Sequence, residues 1–334
     1  MTLNILLCGF GAFGQQHAAA WAEVVPDHRL LVAELDPELR RLAVKCGSAP
    51  DDVSVDYKDL ISNADIVDIV TSSDSHYALA MDALSAGKPT LIEKPAVKQI
   101  EEADRLEQRA AEYSLPVQVQ FVLRVHPLVA EASRLLKQGR IGSLLAMDAV
   151  FTGWKRMRPD ASILENDGVH MLDLMHFFAK SPAYSFDING DRLLGGTVPD
   201  TIHLRLKYSD KIVGWLRTGI TFGGKQADAY LKGSLTTKTF KLIGDEGTID
   251  LDFNSDTMDV AQTSYRPTPG GFTPEIGDLY TKRSVNITPA VLLMRCFEQF
   301  LGVLEGKQEV VCDLKQGAVE ITKLLVEART KLES

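Results

Sequence analysis

Short apolar runs alternate with longer stretches of helical period through the first third of the chain. Leu3–Cys8 reads as a strand, followed by Leu30–Ala33, Ile66–Val70, Thr90–Ile92 and Val117–Gln120. Helical stretches fill the gaps, at about 15–24, 37–45, 75–86 and 99–113. Asp36 stands where the second helix needs a cap, and Gly87 where the third must stop. Strands that alternate with helices predict a parallel, doubly wound sheet.

The rest of the chain has a different rhythm. After a helix at about 127–137, strand-like runs follow at 145–151, 202–207, 213–217, 230–231, 239–243 and 248–251. One helix, about 163–179, interrupts them. Consecutive strands with polar turns predict a second α/β domain with a large open, mostly antiparallel sheet. The Pro-, Gly- and Thr-rich segment 263–274 predicts a long loop, and helices at about 290–304 and 315–332 finish the pattern. The change of rhythm places a domain boundary near 121–126, giving domains 1–122 and 123–334.

Composition narrows the classes of function. A chain of 334 residues suits two domains rather than one core. A net charge of −9 without a long basic run argues against a nucleic-acid partner. No apolar stretch is long enough for a bilayer, and the start lacks the basic segment of a signal peptide. The four cysteines are scattered, so free thiols in a reducing cytoplasm are expected. No His, Cys or carboxylate spacing suggests a metal.

The chemistry concentrates at strand ends. Gly9-Phe10-Gly11-Ala12-Phe13-Gly14 follows the first strand and opens a helix, the setting in which G-x-G-x-x-G binds a dinucleotide. The first glycine allows the turn, the second lets a pyrophosphate approach, and the third lets helix and strand pack. Glu34 ends the second strand, twenty residues after Gly14. A carboxylate there accepts ribose hydroxyls and repels a 2′-phosphate, which favours NAD over NADP. Arg40 and Arg41 read as a solvated helix face, the alternative being that either swings toward a 2′-phosphate. Glu93-Lys94-Pro95 closes another strand. Pro95 cannot extend it, so Lys94 is fixed at the carboxyl edge, where ligands of parallel sheets bind.

Together these pieces resemble the Gfo/Idh/MocA family of nicotinamide-dependent oxidoreductases. The glycine motif, Thr71-Ser72-Ser73-x-x-His76, Glu93-Lys94-Pro95, Arg124-x-His126-Pro127, Gly139-Arg140-Ile141-Gly142 and the helix from Asp167 to Asp173 follow the family's order. The resemblance implies a Rossmann domain followed by a substrate-binding α/β domain whose sheet joins subunits into a dimer or tetramer. It also implies hydride transfer between NAD(H) and a hydroxyl or carbonyl carbon of a small molecule, a sugar, polyol or cyclitol. Thr71, Ser72, Ser73, His76 and Glu93 join the glycine loop and Glu34 as expected cofactor contacts, with a structural cap as the alternative for His76. In the family the lysine of Glu-Lys-Pro contacts substrate and nicotinamide, a role that falls on Lys94; the acid/base histidine falls on His170.

One position departs from the family. Four residues before the histidine the family usually has aspartate, and here stands Asn166. Asparagine can hydrogen-bond a hydroxyl but cannot take its proton. Asp167 and Asp173, each three residues from His170, are then candidates to orient the imidazole, and Asp173 is also expected at the substrate. The departure shifts proton transfer toward His170 or Lys94. Trp154, Lys155 and Arg156 read either as a contact for a sugar face or an anion, or as a solvated loop. His176 reads as a packing residue, and His126 as a structural residue or a distant substrate contact. Two other functions fit the same residues: an enzyme that oxidises its substrate transiently, as glycosidase-like relatives do, and a nucleotide-binding sensor without turnover.

Overall fold

The computed structural model describes residues 2–155, 162–209, 211–224, 226–228 and 233–333. The chain forms two compact units, Met1–Val122 with Ala290–Val326, and Leu123–Pro289 with Glu327–Ser334.

The first unit holds a parallel sheet of β1 (Leu3–Cys8), β2 (His28–Ala33), β3 (Val53–Ser54), β4 (Ile66–Ile69), β5 (Thr90–Glu93) and β6 (Val117–Gln120). Its order is β3-β2-β1-β4-β5-β6, the doubly wound order of dinucleotide-binding sheets. Helices α1 (Ala12–Val24), α2 (Pro37–Lys45), α3 (Ser73–Ser85) and α4 (Ile100–Tyr113) connect the strands. Asp36 caps α2 by accepting from Glu38 N at 2.8 Å, as its position requires. β1, β4 and β5 are fully buried over most of their length, which explains their near-continuous apolar sequence. The register matters for function. Cys8 lies level with Ala33 and Ile69, and Ile69 with Ile92. The residues that follow therefore leave the sheet along one edge: Gly9, Glu34, Thr71 and Lys94.

The second unit opens with α5 (Pro127–Lys137) and builds on β7 (Leu144–Trp154), α6 (Val169–Ala179), β8 (Ser185–Asp191), β9 (Thr201–Lys207) and β10 (Val213–Gly219). It continues through β11 (Gln226–Ala227), β12 (Leu235–Gly244), β13 (Gly247–Asp252), β14 (Thr257–Thr268) and β15 (Gly271–Arg283). Among the described residues the sheet runs β15-β14-β13-β12-β7-β10-β9-β8, with β11 on β12. Only β7 and β10 pair in parallel. α6 covers one face, where Phe178 meets Phe240 with ring centroids 5.5 Å apart. The opposite face leaves Asp148, His203, Arg205, Trp215 and Arg217 exposed.

Two features differ from the sequence expectation, and a third expectation is untested. Segment 263–274 is not a loop: β14 and β15 form a long antiparallel hairpin whose turn lies between Thr268 and Gly271. Its prolines sit in this hairpin at the border of the sheet, where a missing N–H is tolerated. β8 had no clear apolar run to announce it, because its residues are mostly exposed or half-buried. The expected strand at 230–231 lies outside the described residues.

Two helices close the chain, α7 (Pro289–Leu304) and α8 (Ile321–Glu333), the latter entered through a wide turn, Lys315–Glu320. The sequence boundary assigns both to the second domain. Residues 290–326 group instead with the first unit, where Phe297 stacks on Trp21 at 4.0 Å and Cys312 O accepts from Val119 N at 2.9 Å.

Candidate active site

The glycine loop has the shape that its three glycines require. Gly9 has φ +96°, a region open to glycine and costly for other residues. A Cβ on Gly14 would stand 2.1 Å from Gly9 O, so α1 can pack on β1 only with glycine there. A Cβ on Gly11 would meet nothing within 4 Å, so the loop is open at that point. Gly11 caps α1 without a side chain, and no acidic residue sits in the first turn. The first N–H groups and the positive end of the helix thus remain for an anion, the arrangement that a pyrophosphate needs. Gly14→Ala is expected to destabilise the protein by about 1–3 kcal/mol, through the forced shift of a packed backbone. Thermal unfolding together with a dinucleotide titration checks this; an unchanged melt and unchanged binding would remove the packing argument.

Glu34 lies against this loop. Its Oε2 accepts from Phe10 N at 2.6 Å and its Oε1 from Asp36 N at 2.9 Å. Arg40 is not a solvated residue as read from the sequence. Its Nη1 donates to the carbonyls of Glu34 and Leu35, at 2.7 Å each. Arg41 does lie on the exposed face, paired with Glu38.

Thr71, Ser72 and Ser73 lead into α3, with Thr71 Oγ1 accepting from Ser75 at 2.7 Å. Ser72 is exposed at the N-cap and makes no side-chain cap bond. His76 and Glu93, expected at the cofactor, are turned inward instead. His76 is 1% exposed, and its two ring nitrogens face Pro95 O and Thr71 O, both at 3.0 Å. It ties the turn after β4 to the turn after β5. Burial holds its pKa below the ordinary imidazole value despite those carbonyls.

Glu93 belongs to a buried charge cluster that the sequence reading missed. Asp68, in the middle of β4, accepts from Trp21 Nε1 at 2.8 Å and pairs with His17 Nδ1 at 2.9 Å. His17 Nε2 lies 3.4 Å from Glu93 Oε1, an ion-pair contact short of good hydrogen-bond alignment. Glu93 Oε2 accepts from Lys94 N at 3.2 Å. Burial works against a charge on His17, but the Asp68 and Glu93 carboxylates override it and raise the pKa to about 10. An aspartate inside the run Ile66-Val67-Asp68-Ile69 was the available signal, since a charge in a central strand must find a partner. Lys94 itself is half-buried at the edge.

The second unit carries the other expected residues. Leu164–Gly168 forms one wide turn with five-residue hydrogen bonding before α6, a geometry frequent at functional sites. Asn166 and His170, one turn apart, are both half-buried, and the His170 ring centroid is 6.4 Å from that of Phe151. Asp167 is 3% exposed and pairs with Lys155, while its Oδ1 accepts from Asn166 Nδ2 at 3.1 Å. It is therefore a structural counter-ion rather than an open base.

Lys155 is likewise no free cation for a substrate. Its Nζ stands 4.1 Å from the Phe151 ring centroid, and burial lowers its pKa against the pull of Asp167. Lys238 approaches the same ring, at 4.8 Å, and pairs with Asp228 at 2.7 Å. Trp154 is 61% exposed and donates to Thr221 O at 3.2 Å. Arg156 lies outside the described residues.

Asp173, expected at the substrate, is fully buried and held by Arg124. Arg124 Nε and Nη2 lie 2.7–3.0 Å from its two oxygens. Both carboxylates three residues from His170 therefore have cations of their own. His176 packs edge-on against Tyr208, and burial with the nearby Arg124 lowers its pKa to about 3. His126 caps α5 through Leu128 N and faces Asp256 at 3.2 Å. Among the described residues no group of three His, Cys, Asp or Glu could hold a metal, and no helix is long and apolar enough to cross a membrane.

Comparisons with known proteins agree with this architecture. The family model described as "Oxidoreductase family, NAD-binding Rossmann fold" matches residues 3–121, and the "GFO/IDH/MocA C-terminal domain" matches residues 129–250. Inositol 2-dehydrogenase 2 of Saccharopolyspora erythraea is 28% identical over 205 residues, 60% of each chain. UDP-N-acetylglucosamine 3-dehydrogenase of Acidithiobacillus ferrooxidans is 32% identical over 173 residues, 50% of this chain and 51% of the relative. The match thus spans little more than half the length of these relatives. A solved structure of the Acidithiobacillus ferrooxidans enzyme superposes with a TM-score of 0.79 at 22% identity, covering 100% of this chain and 98% of that one. Levoglucosan dehydrogenase in complex with NADH and levoglucosan gives a TM-score of 0.79 at 20% identity, covering 99% and 98%. At such identities the superpositions speak for the fold alone. With both domain models matched in sequence, the chain belongs to the Gfo/Idh/MocA oxidoreductase family.

Proposed function

We propose that the protein is an NAD-dependent dehydrogenase or reductase acting on a CH–OH or carbonyl carbon of a sugar, polyol or cyclitol. The observation that carries this reading is the level edge of the parallel sheet, where Glu34, the open glycine loop and Lys94 leave β2, β1 and, one strand beyond β4, β5. The dehydrogenase names of the inositol, levoglucosan and UDP-N-acetylglucosamine relatives support the substrate class. Glu34 favours NAD, because its carboxylate beside the loop suits ribose hydroxyls and opposes a 2′-phosphate. Arg40, already held by two carbonyls, does not offset it.

When bound, the nicotinamide supplies a hydride acceptor or donor. The protein's residues do the rest. The Gly11–Gly14 backbone holds the pyrophosphate. Lys94 grips the substrate oxygen and stabilises negative charge on it. His170 takes the hydroxyl proton, since imidazole titrates near neutral pH, and Asn166 fixes a hydroxyl by hydrogen bonding. Trp154 offers an exposed ring to a sugar face. Subunits join through the uncovered face of β7–β10, which presents Trp215 and charges of both signs.

A panel of polyols, sugars and cyclitols with NAD and with NADP, read at the nicotinamide absorbance, tests the proposal. Turnover with NAD is expected. One observation favours a second reading, a nucleotide-binding sensor: asparagine stands at 166, while the adjacent Asp167 is committed to Lys155. Tight nucleotide binding without turnover on any substrate of the panel would select it.

A further inference from the structure

The His17 cluster links four elements of the first unit to the Lys94 turn. Asp68 sits on β4, His17 and Trp21 on α1, and Glu93 at the end of β5. Phe297 of α7 walls the cluster, edge-on to His17 at 5.4 Å. We propose that His17 is a positioning residue for Lys94, clamping the Asp68 and Glu93 carboxylates so that α1, β4 and the Lys94 backbone form one rigid body. This rests on the reading of Lys94 as the residue that grips the substrate.

An imidazolium is the one form that donates from both ring nitrogens. It can therefore serve Asp68 on one side and Glu93 on the other. Among the described residues of the cluster, His17 is the cation that both carboxylates meet. Cys8 on β1 and Cys296 on α7 are buried thiols pushed up by that burial, with the nearby carboxylates adding to it, so they bring no positive charge. His76 on α3 also faces Glu93, but its pKa is held down. Loss of the His17 proton would leave two buried carboxylates facing a neutral ring. One of them would take up a proton or the turn would move, and Glu93 Oε2 would cease to fix Lys94 N.

His17→Gln is expected to lower kcat by about 10²-fold, the scale of a displaced catalytic group. The NADH dissociation constant should stay within about 3-fold, because the glycine loop is untouched. The variant's kcat should recover partly at acid pH, as a protonated carboxylate replaces the lost cation. The double variant His17→Gln/Glu93→Gln should lack that acid recovery. A ring that only fills space would lower the melting temperature and leave kcat and its pH profile unchanged, which would overturn the proposal.

NMR titration of His17 in the nucleotide-free protein gives a readout without turnover. A ring still protonated at pH 9 is expected, and an ordinary titration near neutral pH overturns the clamp. Should His17→Gln fail to fold, the near-isosteric Glu93→Gln tests the same link, with unchanged kcat as the refuting result. Lys94→Ala separates the two readings. If it turns over normally, the function assigned to Lys94 falls and the clamp with it. If it is inactive while His17→Gln is normal, the clamp alone falls.

Discussion

Lys94→Ala is expected to cut turnover by roughly 10²–10⁴-fold, the usual contribution of a group that handles charge on a reacting oxygen. The NADH dissociation constant should change little, because the pyrophosphate and ribose contacts proposed above are the glycine loop and Glu34. Lys94→Arg keeps the charge but spreads it over a planar fork, and it should recover only part of the rate. Steady-state kinetics with the substrate found in the panel, together with NADH fluorescence titration, separate these effects. Near-normal kcat in Lys94→Ala would end the assignment. A loss confined to NADH affinity would make Lys94 a cofactor contact only.

The largest stability effect is expected at Arg124. Its pair with Asp173 is 1% exposed on each side chain, and the guanidinium also lies 5.3 Å from the Phe177 ring. Arg124→Met would strand a buried carboxylate inside the second unit, at a cost of about 3–5 kcal/mol. The double variant Arg124→Met/Asp173→Leu removes the stranded charge and should regain most of that loss. Urea unfolding of the three proteins measures the difference. A double variant as unstable as the single one would show that Asp173 does more than neutralise Arg124. The Arg-x-His-Pro segment thus has a physical role distinct from substrate contact. Arg124 closes a buried charge pair, and His126 caps a helix.

Much of the first unit was legible because its signals are local. A glycine turn, an acid at the next strand's end and a proline after a lysine each act within a few residues. The parallel register then aligns them without further information. The second unit was legible in class but not in detail. Thr, Pro and Gly made β14 and β15 look like a loop, whereas cross-strand pairing fixes them as a hairpin. Three site residues changed meaning because their partners are far away in sequence. Asp173 meets Arg124, Asp167 meets Lys155, and Glu93 meets His17. A charge read alone looks available; burial beside an opposite charge makes it part of the scaffold. Asp68, an acid among isoleucines and a valine, and Asp173, between Leu172 and Leu174, were the ones whose own apolar surroundings demanded a distant partner.

The return of residues 290–326 to the first unit bears on the order in which the protein is made. Domains generally fold as units as they leave the ribosome, the N-terminal one first. Here residues 1–122 are made before residues 123–289, yet their unit lacks Phe297 against Trp21 and Cys312 O against Val119 N until residue 312 has been synthesised. The wall beside Trp21 stays open meanwhile, and so does one side of the His17 cluster. Closure of the first unit therefore waits on residues 290–326, which are made only after the whole of 123–289.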